Sequence, residues 1–370
     1  MKQKFQKPDL IFAFMVILLA LFGIVMISSG SIVSSQERFG TNYYYAFHQL
    51  ISLSIGIALM VAAYFIDYRY LKKISLGMFL ITLLLLLAVF IPGIGREFGG
   101  AHRWLGIGGL IFQPSEIVKL SFIIYLASWL EKKGEEVRHF SAGFVPFAVL
   151  IAILAFLIMS QPDLGTLSVI LATAVIVFFV AGARGIHLGL GALGLFLLLG
   201  FLIKIAPYRL QRFLVFLNPQ NETLGAAYHI NQALIAIGSG GLWGLGFGQS
   251  KQKYLYLPQA YSDSIFAIIA EELGFIRSFL VIAVFVFLAV RGFSIVRHAP
   301  DRFAKLLATG ITSWIILQAF LNIAAMLGLI PLTGVPLPFI SFGGSSLIVT
   351  LIAVGILLNI SKHSSQNVRT

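Results

Sequence analysis

Residues 10–29 read LIFAFMVILLALFGIVMISS, with no charged side chain among them. Coiled as a helix rising about 1.5 Å per residue, that stretch is about 30 Å long, the depth of a bilayer's hydrocarbon core. A cleaved leader has a shorter apolar region and a small-residue cleavage site, so 10–29 is expected to be a retained first span. Nine further apolar runs follow, at 46–66, 74–94, 115–131, 143–160, 165–182, 186–206, 264–290, 305–327 and 345–361. Hydrophobic residues make up 59% of the chain and charged residues 11%, with a mean hydropathy of +0.95. Soluble domains carry about 45–50% and about 25% respectively. The pattern predicts an all-α integral membrane protein of about ten transmembrane helices, with residues 1–370 forming a single polytopic domain.

The charges order those spans. With the N-terminus inside, sixteen of the 26 Lys and Arg residues fall on inner segments and eight on outer ones, among them Arg103, Arg209, Arg212, Lys251 and Lys253. Lys119 and Arg277 fall within spans. That bias is the signature of membrane orientation, and it places both termini in the cytoplasm. It also accounts for the net charge of +12 without a nucleic-acid partner. No cysteine is present, which excludes disulfides, thiol nucleophiles and thiolate metal sites.

Three elaborate connections then lie outside. The longest runs over about 207–262 and holds Arg209, Arg212, Asn218-Pro219 and a glycine-dense stretch from Gly238 to Gly248. Within it, Ala226–Ile237 has the pattern of an amphipathic helix lying on the membrane. The second, from Ile94 to Pro114, carries Arg103 and Trp104. The third, from Gly328 to Gly344, is broken by Pro331, Gly334, Pro336, Pro338 and Gly343 and contains no Lys, Arg, Asp or Glu. Irregular backbone at membrane depth must be shielded by protein or line a watery cavity. The unusual residues therefore gather toward the outer face.

An ionisable group at mid-bilayer costs about 2.5–3.5 kcal/mol on insertion scales, so each one asks for a reason. Glu116 and Lys119, three apart, are spaced to pair on one helix face. They are either a mutually neutralising pair or the lining of a cavity. Asp263 stands where the long loop enters the eighth span. It is either a first-turn residue favoured by the helix dipole or a general base or divalent-cation ligand. Arg209, Arg212, Lys251 and Lys253 lie in the same loop and suit an anionic ligand. Asp163, in Gln161-Pro162-Asp163-Leu164-Gly165-Thr166, has the setting of a helix cap. Glu271 and Glu272 read as a buried network between helices, and Gln318 and Asn322, four apart, as polar glue. The glycine-dense stretch follows no strand and has neither dinucleotide nor P-loop spacing, so a nucleotide fold is excluded. The seven histidines show no metal-ligand spacing.

Together these motifs resemble a known family. The run Pro331-Leu332-Thr333-Gly334-Val335-Pro336-Leu337-Pro338-Phe339-Ile340-Ser341-Phe342-Gly343-Gly344-Ser345-Ser346 is similar to the C-terminal signature of the SEDS family, the FtsW, RodA and SpoVE proteins. Gln113-Pro114-Ser115-Glu116 with Lys119, Gln161 to Thr166, and Ser262-Asp263 through Glu271-Glu272-Leu273-Gly274 carry the same resemblance, in family order. Lys251 to Pro258 and Asn218-Pro219 look more like FtsW or SpoVE than RodA. Ser264, Phe342, His229 and Arg277 depart from the family's usual Phe, Tyr, Gln and Gly.

The resemblance implies a peptidoglycan glycosyltransferase in the bacterial cytoplasmic membrane, acting at the division septum. It would polymerise lipid II onto a nascent lipid-linked glycan, with a class B penicillin-binding protein as partner. Asp263 corresponds to the family's catalytic aspartate, as base or as ligand of Mg²⁺ or Mn²⁺. Arg103, Trp104, Glu116, Lys119 and Asp163 match further motif positions expected to contact substrate, and Arg209 and Arg212 suit its phosphates. The alternative is a lipid II flippase, which would need polar groups reaching the inner leaflet.

Overall fold

Each of the ten apolar runs lies on a helix in the computed structural model, which describes residues 7–98, 101–107, 110–205, 216 and 225–364. The helices are α1 (Leu10–Gly30), α3 (Tyr44–Phe65), α4 (Tyr68–Ala88), α5 (Pro114–Lys133), α6 (Val145–Met159), α7 (Leu164–Val180), α8 (Gly185–Ile205), α10 (Ile265–Arg297), α11 (Arg302–Met326) and α12 (Gly344–Lys362). Two more, α2 (Ile32–Phe39) and α9 (Ala226–Ser239), lie between them. Among the described residues seven helices are long and apolar enough to cross a membrane: α1, α3, α4, α6 with its preceding π turn, α10, α11 and α12. The expected span at α7 is a 17-residue helix, and α5 carries Glu116, Lys119, Glu131, Lys132 and Lys133.

The last two helices form the centre. In α11 and α12 78% of the apolar window is buried, against 22–39% in α1, α3, α4, α6 and α10. The outer helices turn large apolar side chains such as Phe14, Leu84 and Phe156 away from the protein. A soluble fold would hide such residues, whereas lipid solvates them.

Polar contacts tie the bundle together at each end. At one, Arg291 holds the Asp9 carboxylate through two bonds of 3.0 and 2.8 Å, and Asp9 N–H donates to Ser361 Oγ (3.1 Å). Asn359 there accepts from Tyr68 N–H and donates to the Tyr64 carbonyl, and Arg302 donates to the carbonyls of Gly134 and Ala181. Both described chain ends lie at this end. The opposite end gathers the described parts of the expected outer connections, 225–262 and 328–344 among them.

The connection from Ile94 to Pro114, expected only as a loop, contains a three-stranded antiparallel sheet: β1 (Gly95–Phe98), β2 (Ala101–Ile107) and β3 (Leu110–Phe112). Arg96 pairs with Trp104 and Leu105 with Phe112, and the fully buried Leu105 pins the sheet to the bundle.

The helix expected over 264–290 is broken within. Gly274 adopts φ 81° and ψ 178° inside α10, a conformation open to glycine and unfavourable for other residues. The break frees backbone groups, and each must find a partner at membrane depth. The glycine-dense stretch supplies them. Leu245 and Gly246 N–H donate to the carbonyls of Glu271 and Glu272 (both 3.0 Å), while Phe275 and Ile276 N–H donate to those of Gly241 and Leu242. Gly238–Gly248 is thus a backbone splint for α10. The amphipathic pattern of 226–237 is α9, whose buried Ala227, Ile230, Ala233 and Ala236 face the protein.

Candidate active site

Asp263 ends the loop that runs from α9 into α10, one residue before the helix's N-cap, Ser264. Its carboxylate is half-buried and accepts from the Ser262 hydroxyl (3.1 Å). A Cβ added to Gly334 would stand 3.5 Å from Asp263 Oδ2, so the 328–344 connection passes directly alongside. Ser264 Oγ donates to the Pro258 carbonyl (2.8 Å) and lies 2.6 Å from His229 Nε2, so two of the departures from the family pattern meet here. Tyr261, two residues earlier, stacks on Tyr45 of α3 and donates to its hydroxyl (3.0 Å). Burial, then the bond to Tyr45, pushes the Tyr261 hydroxyl above the ordinary tyrosine range.

The segment 331–343 is the hub against which the other expected residues are set. It carries no charge, and its Val335, Leu337, Phe339 and Ile340 are buried. Three buried amide side chains satisfy its backbone. Gln49 of α3 donates to the Ser341 carbonyl (3.1 Å) and accepts from Gly343 N–H (3.2 Å). Gln318 of α11 donates to the Pro336 carbonyl (3.0 Å). Asn322, one turn further on, donates to the carbonyls of Val335 (2.8 Å) and Asp263 (2.7 Å). This meets the shielding requirement for irregular backbone in a membrane protein. A polar residue inside an apolar run was the only sequence signal for these roles, and Gln49, inside the 46–66 run, carried it as well.

Glu116 and Lys119 do pair, with Lys119 Nζ 2.8 Å from Glu116 Oε2 in an ion contact not aligned as a hydrogen bond. Lys119 also donates to Gln318 Oε1 (2.8 Å) and sits over the Trp314 ring. Its side chain is 1% exposed, and the void beside it measures about 10 Å³. That is room for about one water and none for a sugar phosphate. The pair therefore lies inside the bundle rather than on an open wall, and joins α5 to the 336 backbone through Gln318. Asp163 caps α7 by accepting from Thr166 N–H (3.1 Å), and also accepts from Gln113 Nε2 (3.4 Å). Gly165 approaches the hub so closely that a Cβ would lie 2.3 Å from the Thr333 carbonyl.

Arg103, on β2, reaches the same corner and donates from Nε to Gln161 O (2.9 Å) and from Nη2 to Pro162 O (2.5 Å). A guanidinium has five N–H groups, so three remain for an anion once its bonds to the described residues are made. Trp104, next on the strand, is half-buried. Arg209 and Arg212 lie outside the described residues.

Lys253 does not belong with an anion site. Its ammonium is 3% exposed and donates to Gly248 O (2.6 Å), Ser29 Oγ (3.1 Å) and Glu272 Oε1 (3.1 Å), which saturates it. Glu272 also accepts from Ser29 Oγ (2.6 Å), and Glu271 accepts from Ser250 Oγ and from Lys251 N–H. The two glutamates are the buried network expected of them, and they bind the 248–253 turn to α10. Lys251 itself is exposed. A cavity of about 390 Å³ opens at the opposite end of the bundle between Gly134, Arg138, Ala181, Arg302 and Lys305, and no expected site residue lines it. Among the described residues no three His, Asp or Glu side chains converge as a metal cluster.

These features define a polytopic helical membrane protein with one half-buried carboxylate held at the meeting point of its loops. The chain belongs to the FtsW/RodA/SpoVE family of cell cycle proteins, whose family model matches residues 9–366. It is 42% identical to stage V sporulation protein E of Bacillus subtilis over 365 residues, covering 98% of this chain and 100% of that protein. It is also 42% identical to a probable peptidoglycan glycosyltransferase FtsW of Geobacter metallireducens, covering 97% and 96%. Among solved structures, a chain of a peptidoglycan synthase complex that coordinates polymerisation and crosslinking matches with a TM-score of 0.80 at 28% identity, covering 97% and 99%. The rod shape determining protein RodA of Thermus thermophilus matches at 0.71 and 28%, covering 97% and 98%.

Proposed function

We propose that this protein is a peptidoglycan glycosyltransferase that polymerises lipid II in the bacterial cytoplasmic membrane, with Asp263 as its catalytic residue. The observation that carries the reading is the setting of Asp263. Its carboxylate is half-buried, with Ser262 and Gly334 beside it, and buried amides fix the surrounding loops. A base must be held within hydrogen-bond reach of the proton it takes.

The growing glycan, α-linked to undecaprenyl pyrophosphate, is the donor, and the GlcNAc 4-hydroxyl of lipid II is the acceptor. Asp263 takes the hydroxyl proton as the oxygen attacks the anomeric carbon from the face opposite the pyrophosphate. The bond to the pyrophosphate breaks with its electron pair leaving on the phosphate, and a β-1,4 bond forms with inversion. Arg103, with three N–H groups left, and the Arg209/Arg212 pair would hold the pyrophosphate. Trp104, the next residue of the strand, offers a surface for a sugar ring. Glu116, Lys119 and Asp163 support the hub and so shape the substrate's surroundings.

Mg²⁺ or Mn²⁺ fits this residue set. Magnesium is commonly held by one or two carboxylates together with substrate phosphates rather than by an all-protein cage, and Asp263 supplies such a carboxylate. Bound there, the cation would offset charge on the leaving pyrophosphate. A class B penicillin-binding protein is the proposed partner, which the likeness to a chain of a peptidoglycan synthase complex supports, and cell-wall synthesis at the septum is the proposed setting.

A lipid II flippase is the competing activity. The buried charges argue for the enzyme, because Lys119 and Lys253 are locked by protein partners. The test is purified protein with its penicillin-binding partner, transpeptidase disabled, in proteoliposomes loaded with lipid II. Glycan chains are the expected product. Lipid II crossing the bilayer with no chains formed would replace this reading with transport.

A further inference from the structure

Asn322 is 1% exposed and lies on the central helix α11, among buried apolar neighbours such as Ala319, Ile323 and Ala325. Its amide nitrogen donates to two backbone carbonyls, those of Asp263 (2.7 Å) and Val335 (2.8 Å). Carbonyl oxygens only accept, so the NH₂ group must face both and the amide orientation is fixed. Oδ1 then points away, and it is buried with no hydrogen-bond partner among the described residues. An orphaned buried acceptor is unfavourable and asks for an explanation. Packing alone does not supply one, since leucine has nearly the same shape and no polar atom to leave unpaired.

The two carbonyls explain the amide. The first backbone bonds of α10 run from Ile265 N–H to Ser262 O and from Ala267 N–H to Ser264 O. The Asp263 carbonyl between them takes its donor from Asn322. The Val335 carbonyl belongs to the irregular hub, and Gly334, the residue before it, lies alongside the Asp263 carboxylate. One nitrogen with two N–H groups thus pinches together the loop that carries Asp263 and the loop that walls its carboxylate. Aspartate has no such donor pair, and serine has one donor.

We propose that Asn322 is the positioning residue of Asp263: it fixes the carboxylate relative to the Gly334–Val335 backbone and through it the geometry of proton transfer or cation binding. This rests on the reading of Asp263 as catalytic. The test uses the full chain with its partner and compares wild type, Asn322→Leu, Asn322→Ser and Asp263→Ala. Polymerisation is measured against pH and against Mg²⁺ concentration, with thermal unfolding of each variant alongside.

Asn322→Leu is expected to slow polymerisation on the order of tenfold to a hundredfold, the scale of a misplaced catalytic group. It is also expected to move the acid limb of the pH profile or the Mg²⁺ concentration for half-maximal rate. Asn322→Ser, retaining one donor, should return both profiles part of the way. Loss of activity only in proportion to the unfolded fraction, with wild-type pH and Mg²⁺ profiles, would make Asn322 a packing residue and overturn the inference. Should the leucine variant fail to fold, the serine variant decides on the same profiles. If Asp263→Ala polymerises as wild type does, the catalytic reading itself fails and this inference with it. An inactive Asp263→Ala beside unshifted Asn322 profiles overturns this inference alone.

Discussion

Lys119 shows how far a single residue can be read from its neighbours in sequence. Spacing of three on an apolar run gave the pairing with Glu116, since such side chains meet on one helix face. The role of the pair was not legible, because it depends on Gln318, 199 residues away, and on how little space surrounds the ammonium. With both side chains at most 4% exposed, removing one partner strands the other charge. Breaking a buried pair costs about 3–5 kcal/mol, whereas replacing both partners with apolar groups is often near neutral. Glu116→Gln or Lys119→Met alone should therefore lower the unfolding temperature and the yield of folded protein in detergent. The double variant should recover much of the loss. Equal loss in all three would mean that the pair contributes through something other than mutual neutralisation.

At the scale of elements, α10 was legible as a span and illegible as a broken one. Glu271-Glu272-Leu273-Gly274 continues an apolar helical pattern, and nothing local marks Gly274 as the break. The glycine-dense stretch was legible only as something other than a phosphate loop. Its role follows from long-range backbone bonds across the kink, which no local pattern encodes. The positive φ of Gly274 makes a definite prediction. A Cβ there would lie 2.2 Å from Gly244 N, against backbone that has no other route. Gly274→Ala is expected to destabilise by more than the roughly 1–3 kcal/mol of a residue forced into that sparsely populated backbone region alone. A cysteine placed at the buried Ser250 of this cysteine-free chain should then react faster with thiol reagents. Unchanged labelling and stability would show that α10 tolerates a regular helix at 274.

For the molecule as a whole, composition and charge alone gave the class of fold, because lipid as solvent reverses which surfaces may be apolar. The irregular connections remained open, since each is held by contacts from elsewhere: the hub by Gln49, Gln318 and Asn322, the α10 kink by 241–246, and Arg103 by the 161–162 turn. The sheet in the second connection was missed for its shortness, with strands of four, seven and three residues. What emerges is one end of a bundle where Asn322 ties the loop carrying Asp263 to the Gly334–Val335 backbone, and another end tied by ion pairs and caps. The central claim is that the carboxylate at the braced end performs glycosyl transfer. Its most direct test is polymerisation of lipid II by the purified protein with its transpeptidase-disabled partner, wild type against Asp263→Ala, in Mg²⁺ or Mn²⁺ with no other polymerase present. The account predicts glycan chains from wild type and none from the variant, with both equally folded. Chains of equal amount and length from a folded Asp263→Ala protein would contradict it.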